Sequence, residues 1–186
     1  MTLQEKRVGL IIGVAPRAEK YARWEILSGA QGFFAATVPQ KLALPYGLFD
    51  EVEVSGTLKG KGFFAQEIHL HKRADGLVKN FAALEEASRL AKFLQQAFRE
   101  TSDYASLHEI FAKAMNYYCE AKSPTLVSLK ALYKILLAEG FAVEQDWLDR
   151  QSAEMREILM QPIDGTLDAS VAMESLYRWA GEELGV

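Results

Sequence analysis

The spacing of apolar residues changes period once along the chain, near residue 80. Before that point short runs cluster or alternate as strands do: VGLIIGV at 8–14, Ala22 to Leu27, Gly32 to Val38, EVEVSGTL at 51–58 and Phe64 to Leu70. The last two alternate with a period of two. That puts Phe64, Gln66, Ile68 and Leu70 on one face and Phe63, Ala65, Glu67, His69 and His71 on the other. SGAQG at 28–32 reads as a turn, and KGKG at 59–62 reads as a hairpin whose glycines supply positive φ while its lysines stay solvated. Five short strands in about 70 residues predict a small antiparallel barrel or meander.

Beyond Asn80 the period is helical. Asn80 is placed to cap a helix reaching Thr101, with Phe81, Leu84, Ala87, Ala91, Leu94 and Phe98 along one stripe. A second helix is predicted from a capping box, Ser106-x-x-Glu109, with Leu107, Ile110, Phe111, Ala114, Met115 and Tyr118 as its apolar side. A third opens on Ser123 and Pro124, carries Leu126, Leu129, Leu132, Tyr133, Leu136 and Leu137, and stops at a left-handed Gly140. Further helices are predicted over Gln145–Leu159 and about Asp168–Leu184, with QPIDGT at 161–166 as the turn between them. The pattern divides the chain into a strand module, 1–76, and a helical module, 77–186, joined by a short polar linker at 72–79.

Charge sharpens that division. The net charge of −4 hides a front half, 1–79, with 11 basic against 8 acidic residues, and a back half, 80–186, with 10 against 17. The single cysteine, Cys119, excludes a disulfide framework and a four-cysteine zinc site and fits a reducing, cytoplasmic setting. The apolar run after the first charged residues is short and glycine-broken, which favours a strand over a signal peptide, and no stretch is long enough to span a bilayer.

Candidate chemistry is sparse. His69 and His71 share a strand face without an evident third metal ligand, and they read as surface residues. Cys119 reads as a small buried hydrophobe. KGKG lacks the lysine–serine/threonine ending of a phosphate loop and joins two strands. Glu85-Glu86 and Glu182-Glu183 are sequence neighbours, about a hundred degrees apart on a helix, so they read as solvated faces rather than dyads. The chain is therefore read as a non-enzyme with no metal and no cofactor. What remains is basic: Arg17, Lys20, Tyr21 and Arg23 in the connection APRAEKYAR, Lys59 and Lys61 in the hairpin, and Lys72 and Arg73 after the fifth strand. Cations that track phosphates and an aromatic face that stacks a base are what a single-strand groove uses. In a five-stranded barrel, the loops between strands one and two and between strands four and five flank such a groove. Lysines also gather on exposed turns of any protein, and Glu19 dilutes the first cluster.

The order of these parts resembles the bacterial recombination mediator family RecO. The resemblance starts in RVGLIIGVAPRAEKYARWEILSGAQGFFAA and continues through LFDEVEVSGTLKGKGFFAQEIHLH. It then runs through SLKALYKILLAEGFAVEQDWL, with its Gly140-Phe141 pair, to the closing SLYRWAGEELG. It implies an α+β multidomain protein: a five-stranded antiparallel OB-fold barrel followed by an all-α helical bundle. It also implies a non-catalytic protein that binds single- and double-stranded DNA, anneals strands, and loads RecA together with RecR and the single-strand-binding protein SSB, whose acidic, aromatic-ended tail docks on the helical domain. The chain departs from the family twice. Many members carry a four-cysteine zinc knuckle after the glycine–aromatic pair, whereas 145–155 has no cysteine, and a metal-free helix packing Trp147 and Leu148 is expected in its place. The family's basic loop after the third strand is here VPQKLALPYG, with Lys41 as its one cation. The alternative is an interaction module that keeps the fold, binds DNA weakly or not at all, and uses an apolar groove lined by the second and third helices.

Overall fold

The computed structural model describes residues 4–60, 62–101, 103–160 and 168–186, with Arg17 and Ala18 described by their backbone alone. The predicted turn at 161–166 lies outside these residues. The chain forms two compact units, Met1–Ala74 and Asp75–Val186.

The first unit is a closed five-stranded barrel of the OB type, built from β1 (Gln4–Ala18), β2 (Tyr21–Ser28), β3 (Gly32–Pro39), β4 (Glu51–Lys59) and β5 (Gly62–Lys72) in the order β1-β2-β3-β5-β4. Four pairs are antiparallel, and a short parallel link, Ala36↔Phe63 and Thr37↔Phe64, joins β3 to β5 and completes the closure. Alternation fills the interior: Ile11, Trp24, Ile26, Ala36, Val38, Val52, Val54, Phe63, Ala65 and Ile68 form one buried cluster. Trp24 is 1% exposed and meets Tyr46 edge-on at 5.8 Å. The predicted strict alternation along β5 fails where the β4–β5 register shifts, once at His71, between Glu51↔Lys72 and Val52↔Leu70, and once within the strand. The register jumps between Ser55↔Glu67 and Gly56↔Ala65, so Gln66 is an extra residue. This bulge turns Ile68 inward, onto the side of Phe63 and Ala65, and leaves Gln66 exposed.

Two connections differ from expectation. The polar loop expected between the first two strands is largely strand, because Ala15↔Arg23, Pro16↔Ala22 and Ala18↔Tyr21 pair and only Glu19-Lys20 turn. Between β3 and β4 a one-turn helix, α1 (Gln40–Ala43), interrupts the loop. Asp50, 3% exposed, ties off this end by accepting from the Gly47 N–H (3.0 Å) and the Ala74 N–H (2.9 Å).

The second unit is all helical: α2 (Asp75–Val78), α3 (Phe81–Ala97), α4 (Tyr104–Tyr118), α5 (Pro124–Ala138), α6 (Val143–Asp146), a 3₁₀ turn at Leu148–Arg150, α7 (Ala153–Met160) and α8 (Ser170–Leu184). α5 is the central element, with Leu126, Leu129, Leu132, Ile135 and Leu136 fully buried. Asn80 caps α3 by accepting from the Ala83 N–H at 3.2 Å. The cap of α4 is Asp103, which accepts from the Ser106 N–H at 3.0 Å, so the Ser106–Glu109 capping box does not form; Glu109 pairs with Lys113 instead. Ser123 stands at the start of α5 without a side-chain cap bond. Gly140, at φ +83°, ends α5 as predicted.

Four other expectations are corrected. Phe81, assigned to the apolar stripe of α3, is 77% exposed, because it sits in the first turn before the buried stripe begins at Ala83. Glu86 is half-buried rather than solvated: it accepts from the Ser128 hydroxyl (3.0 Å), which itself meets the buried Tyr118 hydroxyl at 2.5 Å. Cys119 is exposed at the end of α4, its thiol donating to the Met115 carbonyl. The single helix over 145–159 is broken in two. Trp147 turns its ring inward to 2% exposure and donates from Nε1 to the Ser175 hydroxyl at 3.1 Å. Ser152 then starts a new helix, accepting from the Met155 N–H at 3.3 Å. Trp147 and the half-buried Leu148 do supply apolar packing after the Gly140-Phe141 pair. Among the described residues no helix is long and apolar enough to cross a membrane.

Candidate nucleic-acid interface

Cross-strand register decides which basic residues meet. One lateral row runs Ala15–Arg23–Thr37–Phe64–Thr57 across β1, β2, β3, β5 and β4. Paired residues in neighbouring strands share a face, so Arg23, Thr37 and Phe64 point away from the core residues Trp24, Ala36 and Phe63, although Thr37 in the middle of the row is buried. Two strand spacings, about 10 Å, separate the β2 and β5 positions. The register sets the β1–β2 turn past the Pro39 end of β3 and the β4–β5 hairpin on the other side of the Ala36–Thr37 link, so the two turns flank this row from opposite ends.

At the β1–β2 turn Tyr21 is 43% exposed and pairs with Pro39. Lys20 is exposed, and its carbonyl accepts from the Gln40 N–H at 2.9 Å, which draws the start of α1 alongside the β1–β2 turn. Lys41, also exposed, stands in that helix. Across the row, the hairpin turns at Gly60 (φ +61°), and the Lys59 ammonium lies 5.7 Å from the centre of the Phe64 ring. Phe64 is a half-buried aromatic that its sequence placed on a strand but not in the site. Its signal was available in KGKGFF, where an aromatic two residues past a basic turn projects beside that turn.

The electrostatics are uneven. Arg23 donates from Nε to Glu25 at 2.7 Å, so the row's own cation is already compensated. On the neighbouring β1–β4 edge Lys6 is matched by Glu53 at 2.9 Å; that hydrogen bond raises the lysine's pKa and lowers the carboxylate's. Arg17 is the extra residue of a bulge between Pro16 and Ala18, and its side chain lies outside the described residues, as does all of Lys61. Lys72 and Arg73 are exposed but stand at the opposite end of β5 from the hairpin, about 30 Å along the strand, and do not extend this patch. Among the described residues no group of three or more His, Cys, Asp and Glu could hold a metal ion.

A second concave surface lies in the helical unit, between α4 and α5. Ile110, Ala114, Tyr117, Val127 and Ala131 floor a cavity of about 340 Å³, and Lys113, Lys130 and Lys134 rim it. Burial, and then the charge of Lys134, lower the pKa of Lys130.

No family model matches the chain, and no curated protein matches it. Among solved structures, the mitochondrial single-stranded DNA-binding protein Rim1 of S. cerevisiae is similar at 15% identity over 39% of this chain and 98% of that one, with a TM-score of 0.35. The Stn1–Ten1 complex of S. pombe is similar at 13% identity over 48% of this chain and 76% of that one, with a TM-score of 0.33.

Proposed function

We propose that this protein is a RecO-like recombination mediator. It binds single- and double-stranded DNA without covalent chemistry, supports strand annealing, and acts with SSB, RecR and RecA in the cytoplasm. The observation that carries this reading is the lateral row joining Arg23 to Phe64, which sets Lys20 and Tyr21 from one hairpin and Lys59 from the other along one outer face. Cations on both sides of an exposed tyrosine and a phenylalanine offer a strand phosphate contacts and ring faces together. Titration of oligothymidylate at two salt concentrations tests it. The wild-type protein is expected to bind with a marked salt dependence that becomes shallower in the Lys20→Glu/Lys59→Glu variant. Absent or salt-independent binding at low salt defeats the reading.

The interaction-module alternative is favoured by the lysine-rimmed groove between α4 and α5. An apolar floor beneath three ammonium groups suits an acidic peptide ending in an aromatic residue, the chemistry of an SSB tail. Such a peptide is expected to bind the wild-type protein and not the Lys130→Glu/Lys134→Glu variant. If function survives charge reversal at Lys59 and Lys61 but not polar substitution of Val127 or Ile110, the interaction module replaces the DNA-binding reading.

A further inference from the structure

A third concave surface lies between α3 and α8, and neither reading above uses it. Arg89, Lys92, Phe93 and Gln96 line it from α3, and Glu174, Tyr177, Arg178 and Gly181 line it from α8. Both sets follow the spacing i, i+3, i+4, i+7, so each is one continuous stripe of its helix and the two stripes face a shared space of about 430 Å³. That is the size range of small-ligand sites.

The chemistry of this groove is unlike that of the unit around it. Residues 80–186 carry 10 basic against 17 acidic side chains, yet three of the ten converge here against one carboxylate. Arg89 is held in place on two sides. Its guanidinium lies 4.5 Å from the centre of the Tyr177 ring and pairs with Glu174 at 2.5 Å. Phe93 braces Tyr177 from the other direction, edge to face at 5.0 Å. Lys92 and Arg178 are exposed and form no salt bridge among the described residues. Arg178 acts on Glu174 at a distance, helping to keep that carboxylate ionised, after Arg89, whose hydrogen bond is the larger cause. The groove thus holds one pre-positioned guanidinium, two further cations one helical turn from the Arg89–Glu174 pair, a half-buried phenylalanine and the Gln96 amide. Guanidinium groups bind phosphate through paired N–H donors, and an ammonium adds a point charge.

We propose that the α3–α8 groove binds the phosphate of a nucleotide, with Arg89, Lys92 and Arg178 on the anion and Phe93 and Gln96 beside the sugar or base. The phosphate comes either from a nucleic-acid strand or from a free mononucleotide. Only the strand arm touches the DNA-binding reading.

The test titrates a labelled oligothymidylate and, separately, adenosine monophosphate into the full chain, in wild-type form and as Lys92→Ala/Arg178→Ala. Both replaced side chains are exposed, and circular dichroism checks the fold. Lys122→Ala, an exposed lysine of the same unit outside the groove, controls for general loss of charge. At least one probe is expected to bind the wild type and the Lys122→Ala variant alike and to lose roughly tenfold in affinity in the groove variant. For the strand, the slope of log affinity against log salt is expected to become shallower by about 1.4, from two lost phosphate contacts. Loss with the oligonucleotide alone assigns a strand phosphate, and loss with the mononucleotide assigns a free nucleotide. Binding of neither probe by the wild type, or affinities unchanged in the groove variant, overturns the proposal. A Lys59→Glu arm separates this result from the barrel's. Strand binding that ignores Lys59→Glu but responds to the groove variant removes the barrel reading and keeps the groove, and the converse removes the groove alone.

Discussion

The barrel and the helical unit both gather positive charge, by different geometry. In the barrel, cations far apart in sequence, Lys20 and Lys59, come to flank one lateral row from opposite ends because the β3–β5 link fixes the register of their hairpins. The result is a sheet face whose central Thr37 is buried and on which Glu25 already compensates Arg23. In the helical unit, cations three or four residues apart stack along a stripe, and the stripes of two helices enclose a cavity with apolar or aromatic walls. A sheet face of the first kind suits a polymer that lies along it and exchanges counterions. A groove of the second kind suits a ligand or peptide end with a definite shape.

The comparison can be broken most forcefully at the barrel core. Trp24→Ala removes a large side chain that is 1% exposed and is expected to cost about 3–5 kcal/mol. Urea denaturation should then show the strand unit melting first, and an unchanged midpoint would mean that the interior is not held as described. The next effect is on binding. Lys20→Glu/Lys59→Glu should weaken oligothymidylate binding roughly tenfold and make its salt slope shallower by about 1.4, while binding of an acidic peptide is unaffected. Equal losses of both ligands would collapse the distinction between the two surfaces. In the helical unit, Trp147→Phe keeps a buried ring but removes the donor to Ser175, and a loss of about 1 kcal/mol in thermal denaturation is expected. A destabilisation several times larger would show that the indole's shape, rather than its N–H, anchors the segment after Gly140.

The smallest expected effect is at the start of α4. Hydrogen bonds from Ser106 lower the pKa of Asp103. A depressed carboxylate contributes stability above its unfolded-state pKa, near 4, and loses it as the pH falls through the lower folded value. Asp103→Asn, which keeps an oxygen acceptor, should therefore narrow the gap between melting temperatures at pH 5 and at about pH 2.5. An unchanged gap would assign that acid sensitivity elsewhere.

Much of this architecture was legible in the order of residues, because period alone separates strand from helix. The hairpin at Lys59–Gly62, the cap at Asn80, Pro124 opening α5 and Gly140 closing it each follow from local backbone chemistry. What escaped depends on long-range register. Nothing local to FFAQEIHL announces that Gln66 is an extra residue, because the bulge exists only relative to β4. The compensation of Lys6 by Glu53 needs β1 beside β4. The break after Asp146 escaped for a related reason. A helical pattern fits 145–159, but the pull of the interior on one indole, answered by Ser175 far along the chain, outweighs continuation of the helix. Of the site residues, those in the two hairpins were recognisable as basic turns. That Lys72 and Arg73 stand at the far end of the same strand required only strand length.

The placement of tryptophan has an optical consequence. Of the three in the sequence, Trp24 alone belongs to the barrel, while Trp147 and Trp179 belong to the helical unit. Trp24 is enclosed with Tyr46 at its edge, on the inner side of the strand whose outer side carries Arg23. Its emission is expected to be that of a shielded indole and to report the integrity of the barrel without touching whatever lies on the outer face. With Trp147 and Trp179 changed to phenylalanine, fluorescence follows the strand unit alone. With Trp24 changed instead, it follows the helical one.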